Sequence, residues 1–172
     1  MTAIESQTIQ TDRLVLLPLR VEHAEEMAAA CSDPELHTFI GGEPADPQAL
    51  RARYGRLIAG SPDPAVSWCN WAIHLRDEAC LVGTVQATIT GPAGGRTAEV
   101  AWVVGTGWQR RGIATEAARA LIAWLARTSV RTFVAHIHPD NRASAAVATA
   151  VGLAATDRWH DGEVEWVSSV DG

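Results

Sequence analysis

Hydrophobic positions first gather at Leu14–Leu19, where Leu14, Leu16 and Pro18 alternate with Val15, Leu17 and Leu19. That run predicts a first strand ending near Arg20. From Glu22 the period lengthens to about 3.6, with His23, Ala24, Met27, Ala28 and Cys31 on one face, and Asp33-Pro34 stops the helix. Pro34 to Pro47, rich in glycine, proline and acid, reads as a loop. Asp46-Pro47 supplies an N-cap and a first-turn proline for a helix through about Ile58. Trp71, Ile73 and Leu75 alternate with Ala72, His74 and Arg76; Leu81–Thr90 and Ala98–Val104 follow as its meander partners. A helix at Ala114–Leu125 carries the stripe Ala114, Ala117, Ala118, Leu121 and Leu125. The strand after it, Thr132–His138, is reached by a crossover and is expected to run parallel to Ala98–Val104. A last helix, Arg142–Val151, stops at Gly152, and Asp161-Gly162 marks a closing hairpin.

Composition narrows the class without naming a chemistry. At 172 residues, 47% hydrophobic and 20% charged, the chain has the make-up of one globular domain. No run nears the roughly 20 apolar residues of a membrane span, and the N-terminus lacks a signal-peptide layout, so no membrane partner and a cytoplasmic location are expected. Cys31, Cys69 and Cys80 are odd in number and far apart, which suggests buried thiols and no disulfide framework. Every basic side chain apart from histidine is arginine, and the net charge of −6 disfavours nucleic acid as a partner. An acidic surface would suit a basic acceptor.

The chemistry concentrates between Glu99 and Leu125. The strand, the turn Gly105-Thr106-Gly107-Trp108-Gln109-Arg110-Arg111-Gly112 and the helix start form a phosphate-binding arrangement. A helix start leaves about four N–H groups unpaired and carries roughly half a positive charge. Gly112 permits close approach of the backbone, and Arg110 and Arg111 add forked donors. A dinucleotide-binding reading of Gly105-x-Gly107 fails because Arg110 stands at the third glycine position and the next strand ends in His136-Ile137-His138 without an acid. A P-loop fails for want of a lysine. His74, His136, His138 and His160 have no carboxylate or cysteine spacing to support zinc, so no metal is expected.

Gln109-x-x-Gly112-x-Ala114 resembles the [Q/R]-x-x-G-x-[G/A] signature with which GNAT N-acetyltransferases hold the pyrophosphate of acetyl-CoA. Thr11–Leu19, Ala98–Trp102 and His138-Pro139-Asp140-Asn141-Arg142-Ala143-Ser144 resemble segments of its RimJ/RimL-like branch, in order and at family spacing. Residues 1–10 are polar and read as a flexible N-terminus, and the resemblance implies an α+β fold in a single domain over residues 11–170. Its mixed, mostly antiparallel sheet would have six to seven strands, flanked by about four helices and splayed between the fourth and fifth strands. It implies acetyl-CoA as co-substrate and a primary amine as acceptor, either a peptide N-terminus or a small molecule, attacking the thioester directly in a ternary complex. By the same resemblance the helix-loop-helix after the first strand walls the acceptor site, and a homodimer is left open.

The resemblance also assigns residues. Trp102, Val103 and Val104 would pair with the pantetheine arm, with the Val104 N–H as oxyanion donor; Gln109, Arg110, Arg111, Gly112, Ile113, Ala114 and Thr115 would hold the phosphates. Asn141 would bind the pantetheine, a role compatible with capping the helix that follows. Glu99 and His136 are the candidate bases. The family's usual acid, a tyrosine seven residues beyond Asn141, is replaced by Ala148, and Ser144 is its suggested substitute. That departure motivates an alternative, a non-catalytic acyl-CoA-binding regulatory module. Of the seven tryptophans, Trp102 and Trp108 are expected at the acceptor pocket and Trp71, Trp124 and Trp166 in the core.

Overall fold

The computed structural model describes residues 3–169. Its strands are β1 (Ile9–Gln10), β2 (Leu14–Pro18), β3 (Ser67–Leu75), β4 (Cys80–Thr90), β5 (Arg96–Val104), β6 (Val130–Ile137), β7 (Ala154–His160) and β8 (Glu163–Ser169). They form one sheet in the order β1-β2-β3-β4-β5-β6-β8-β7. Every neighbouring pair is antiparallel except β5 and β6, which are parallel as the crossover demands. The helices are α1 (Ala24–Ala30), α2 (His37–Ile40), α3 (Pro47–Ala59), α4 (Ile113–Ala126) and α5 (Arg142–Ala150).

Alternation along the central strands builds a core on each face of the sheet. Cys69, Trp71, Ile73 and Leu75 of β3 point one way, joining Ala98 and Val100 of β5 under Ile113, Ala117, Leu121 and Leu125 of α4. Those four helical residues recur every fourth position, one stripe of a 3.6-residue helix, and each large aliphatic side chain buried there is worth about 1.5–3 kcal/mol. Ala72 of β3 points the other way, toward Leu19, Met27, Leu50 and Tyr54, so α1 and α3 cover the opposite face. Trp71 and Trp124 meet edge to face inside the first core, with ring centroids 5.5 Å apart.

Two expectations are corrected in detail. The sheet has eight strands among the described residues, beyond the expected six to seven, because Ile9 and Gln10 pair with Leu16 and Val15. The polar lead-in is tied to β3 by bonds that a hydropathy pattern does not register: Ile4 N–H to Ser67 Oγ (3.1 Å), Cys69 Sγ to Ile4 O (3.2 Å) and Trp71 Nε1 to Gln7 O (2.7 Å). Met1 and Thr2 of the expected flexible N-terminus, and the expected domain limit at residue 170, lie outside the described residues. The segment read as a loop after Pro34 holds a 3-10 turn, Pro34–Leu36, and α2, bringing the helices to five. Asp33 caps that turn, accepting from Glu35 N–H at 3.0 Å with proline at the first position. Asp-Pro here begins a helix as well as ending one.

The parallel pair is where the sheet opens. β5 and β6 are in register only from Arg96–Val130 to Glu99–Val134, and Val100–Val104 of β5 has no partner on that side. β7 and β8 close the sheet through a hairpin whose turn residues, Asp161 (φ 49°) and Gly162 (φ 81°), both lie in the left-handed region that two-residue hairpins require. Among the described residues no helix is long and apolar enough to cross a membrane.

Candidate active site

The open half of β5 separates two cavities. On the α4–α5 side lies one of about 490 Å³, lined by Trp102, Val103, Val104, Gln109, Arg110, Gly112, Ile113, Ala114, Thr115, Asn141 and Ser144. The structure therefore brings together every residue expected at the cofactor except Arg111. Ladder alternation explains the role of the strand. Gly105 N–H donates to Val82 O at 2.8 Å across β4, so the N–H groups of Trp102 and Val104 face the opposite way, into the splay. Gln109 Nε2 donates to Val104 O at 2.9 Å in that slot, which leaves the Val104 N–H directed at it.

Below the slot, α4 presents its N-terminus. Its first intrahelical bond runs from Glu116 N–H to Gly112 O (3.0 Å), so the N–H groups of Ile113, Ala114 and Thr115 precede it. Gly112 sits at φ 77°, and a Cβ there would come within 3.3 Å of Arg13 Nη2. Arg110, itself at φ 65°, has no hydrogen bond or ion pair among the described residues. Arg111 is engaged elsewhere: its Nη2 donates to Glu78 Oε2 at 2.6 Å and its carbonyl accepts from Arg13 Nη1 at 2.8 Å. Hydrogen bonds from Arg111 and Trp108 hold the Glu78 carboxyl below its ordinary range. The pair of arginines thus divides into a free donor in the cavity and a brace outside it.

At the far end Asn141 caps α5. Its Oδ1 accepts from Ser144 N–H and its Nδ2 donates to Ser144 Oγ, both at 3.1 Å. With the Ser144 oxygen used as acceptor, the hydroxyl hydrogen is available to the cavity. Ala148 is fully buried in α5. The segment after α1 closes the same cavity with Glu35, Leu36 and Phe39. Thr106 Oγ1 donates to Asp33 Oδ2 at 2.8 Å, and Phe39 lies against His138 at 5.2 Å between centroids. Leu36 and Phe39 lie in the Leu36–Pro47 segment, where the resemblance points to substrate selectivity, whereas Asp33 and Glu35 precede it and are signalled only by the Asp33-Pro34-Glu35 cap.

The second cavity, about 190 Å³, lies on the α1–α3 side and shares Leu36, Trp102 and Val103 with the first. Leu19, Met27, Leu50, Arg53, Tyr54, Asn70 and Gln86 are among its walls. Trp102 borders both cavities and its Nε1 is buried without a partner among the described residues. Trp108, expected at the acceptor side, lines the larger cavity instead, its Nε1 donating to Glu78 Oε1 (3.1 Å). Cys31 also lines the smaller cavity, and burial pushes its thiol up to about 11.

Glu99 and His136, the two candidate bases, form a pair: His136 Nδ1 lies 2.9 Å from Glu99 Oε1. Neither lines either of these two cavities, but Glu99 is one same-face step along β5 from Ala101, which lines the smaller. Beyond them, His136 Nε2 is 4.0 Å from Glu165 Oε1, Arg158 pairs with Glu165, and His160 stacks 5.2 Å from His136. Among the described residues no group of His, Cys, Asp or Glu is placed to hold a metal.

Residues 13–154 match the family described as acetyltransferase (GNAT) domain. No curated protein matches the sequence. Among solved structures, the acetyltransferase from Agrobacterium tumefaciens is similar at 26% identity and TM-score 0.73, covering 99% of this chain and 98% of that one. A Salmonella typhimurium acetyl transferase, described as modifying the N-terminal serine of 50S ribosomal subunit protein L7/L12, shares the fold at 17% identity and TM-score 0.77, covering 96% and 100%. Microcin C7 self immunity acetyltransferase, solved with acetyl-CoA and AMP, does so at 16% identity and TM-score 0.76, covering 93% and 94%.

Proposed function

The chain belongs to the GNAT acetyltransferase family, and on that footing we propose that it carries an acetyl group from acetyl-CoA to a primary amine by direct attack within a ternary complex. The observation that carries the reading is the meeting of the two cavities at Trp102 and Val103. One cavity offers the phosphate and amide donors that acetyl-CoA needs, and the other reaches the same strand from the opposite face. Arg110 and the N–H groups of Ile113, Ala114 and Thr115 would hold the diphosphate. The exposed edge of Trp102 and Val104 would pair with the pantetheine arm as an added strand.

In this reading the amine nitrogen attacks the acetyl carbon and a C–N bond forms as the C–S bond breaks. The Val104 N–H stabilises the oxyanion that develops between those events. The ammonium proton leaves through water to the Glu99–His136 pair, and the departing thiolate takes a proton through the Ser144 hydroxyl. A thiol held near 11 is a poor nucleophile at neutral pH, which supports direct attack over a covalent Cys31 intermediate. Similar structures include one described as modifying a ribosomal protein's N-terminal serine and one described as a microcin C7 self immunity acetyltransferase, so both peptide and small-molecule acceptors belong in the test.

The test is a calorimetric titration of acetyl-CoA beside a Gly112→Asp variant, followed by thiol release over a panel of amines. Binding by the parent and not by the variant, with amine-dependent release that Glu99→Ala or Ser144→Ala slows, is expected. Failure of the parent to bind acetyl-CoA would overturn the assignment of the larger cavity.

A further inference from the structure

The smaller cavity has a chemistry of its own. Its walls are mostly apolar, with Leu19, Met27, Leu50 and Leu57 facing its interior. No aspartate or glutamate lines it, although the chain as a whole carries a net charge of −6. The one guanidinium in its wall, Arg53, has no hydrogen bond or ion pair among the described residues. The side-chain amides of Asn70 and Gln86, cross-strand neighbours on β3 and β4, likewise have no hydrogen-bond partner among the described residues. At about 190 Å³ the space is below the 300–1,000 Å³ usual for drug-sized ligands, so it suits one compact side chain.

We infer that this cavity selects an amine on a compact apolar molecule that also bears a carboxylate and no second positive charge, an apolar α-amino acid being the type. The inference rests on the acetyl-transfer reading above and goes beyond it by naming the acceptor class. The apolar walls take the side chain. Arg53, forked and permanently charged, takes the carboxylate in a geometry to which it is matched. Asn70 and Gln86 supply neutral donors and acceptors toward Ala101 and the shared strand. A polyamine fits badly: its further ammonium groups would enter an apolar cavity with no carboxylate to meet them and with Arg53 at hand to repel them. The acidic overall charge, which favours a basic acceptor, is therefore not carried into the acceptor cavity.

The experiment is thiol release by the full chain at saturating acetyl-CoA with leucine, leucinamide, a seryl peptide and spermidine as acceptors. Leucine and leucinamide present the same side chain and amine and differ in the carboxylate. The expected result is a kcat/KM for leucine about threefold to fivefold above that for leucinamide, the factor that a solvent-screened pair at the exposed Arg53 supplies. In Arg53→Ala the leucine-to-leucinamide ratio falls to near one, and Arg53→Lys retains part of it; circular dichroism checks that both variants fold. A parent that uses leucinamide as well as leucine, or a ratio that survives Arg53→Ala, overturns the inference. Release driven by spermidine or the seryl peptide but not by leucine overturns it while acetyl transfer stands. Silence on every amine overturns both.

Discussion

Glu116 sits in the first turn of α4 without lining the larger cavity, yet it ties the turn that borders the cavity to the edge of the sheet. Its Oε2 accepts from Thr11 Oγ1 (2.5 Å) and from the Arg13 N–H (3.0 Å), and its Oε1 accepts from Arg13 Nε (2.7 Å). Arg13 in turn donates from Nη1 to Arg111 O. Glu116→Ala removes both acceptor oxygens and with them all three hydrogen bonds. The Arg13 side chain is 40% exposed, so its ion pair is screened and is worth no more than about 1 kcal/mol. The backbone N–H and the Thr11 hydroxyl are partly buried, and losing a partner costs about 1 kcal/mol each. The total is about 2–3 kcal/mol, which for a domain of this size lowers Tm by roughly 5–10 °C.

The same carboxyl sets a pH dependence. Burial acts to raise its pKa, but the hydrogen bonds from Thr11 and Arg13, with the Arg13 charge, outweigh burial and hold it below the ordinary 4.5. A lowered folded-state value means folding favours the ionised form. The contribution of Glu116 is complete above about pH 4.5 and is lost as pH falls through the lowered value. Calorimetric unfolding of parent and Glu116→Ala should show the full Tm gap at pH 7 and a closing gap below about pH 4. A gap smaller than about 1 °C at pH 7, or one that is undiminished in acid, would refute the reasoning.

Three further outcomes follow from the same geometry. Arg110→Ala is expected to weaken acetyl-CoA binding about tenfold, the worth of one charge-assisted phosphate contact, whereas Arg111→Ala should change it less than about threefold because Glu78 already occupies that side chain; calorimetry reads both. Ser144→Ala should lower kcat roughly ten- to a hundredfold while acetyl-CoA affinity stays within about threefold, since the hydroxyl is needed for the leaving thiolate more than for binding. With its thiol pushed up to about 11, Cys31 should be alkylated at pH 8 roughly a hundred times more slowly than free cysteine, as followed by mass spectrometry of its peptide.

Periodicity located nearly every long element because the elements bury regular stripes. Leu121 and Leu125 could be read as core from spacing alone, and both are fully buried. The parallel β5–β6 pair followed from a crossover with one allowed hand. What escaped was held by side-chain to backbone bonds that no hydrophobic period encodes: the β1 segment stitched to β3 by Ser67, Cys69 and Trp71, and the short turn after Asp33. The residues of the expected phosphate motif line the larger cavity, except Arg111, a distinction between Arg110 and Arg111 that the motif does not make. Their difference is decided by Glu78 and Arg13, from distant parts of the chain. For the smaller cavity the sequence shows a helix-loop-helix and no chemistry, because the cavity's character comes from the lack of any carboxylate in its wall, and absence at a surface is visible only once the surface exists.

Donors kept free for a ligand are a cost to the folded chain. Among the described residues Arg110, at positive φ, has no partner, Ile113, Ala114 and Thr115 of the first helical turn line the cavity, and the Trp102 Nε1 is buried and unpaired. Groups of this kind normally find protein partners. Here the stabilisation comes from just outside the cavity, where Glu116, Arg13, Glu78 and Arg111 form charge-assisted bonds that fix the turn from behind. The division has a testable logic: changes to the brace should lower stability first and affinity second, while changes to the cavity donors should lower affinity and leave stability equal or higher. Arg110→Ala, by removing a side chain from a strained and unpartnered position, should leave Tm unchanged or raise it even as acetyl-CoA binding falls. A fall in Tm on that substitution comparable with that of Glu116→Ala would mean that Arg110 is part of the brace and that the phosphates are held by the helix N-terminus alone.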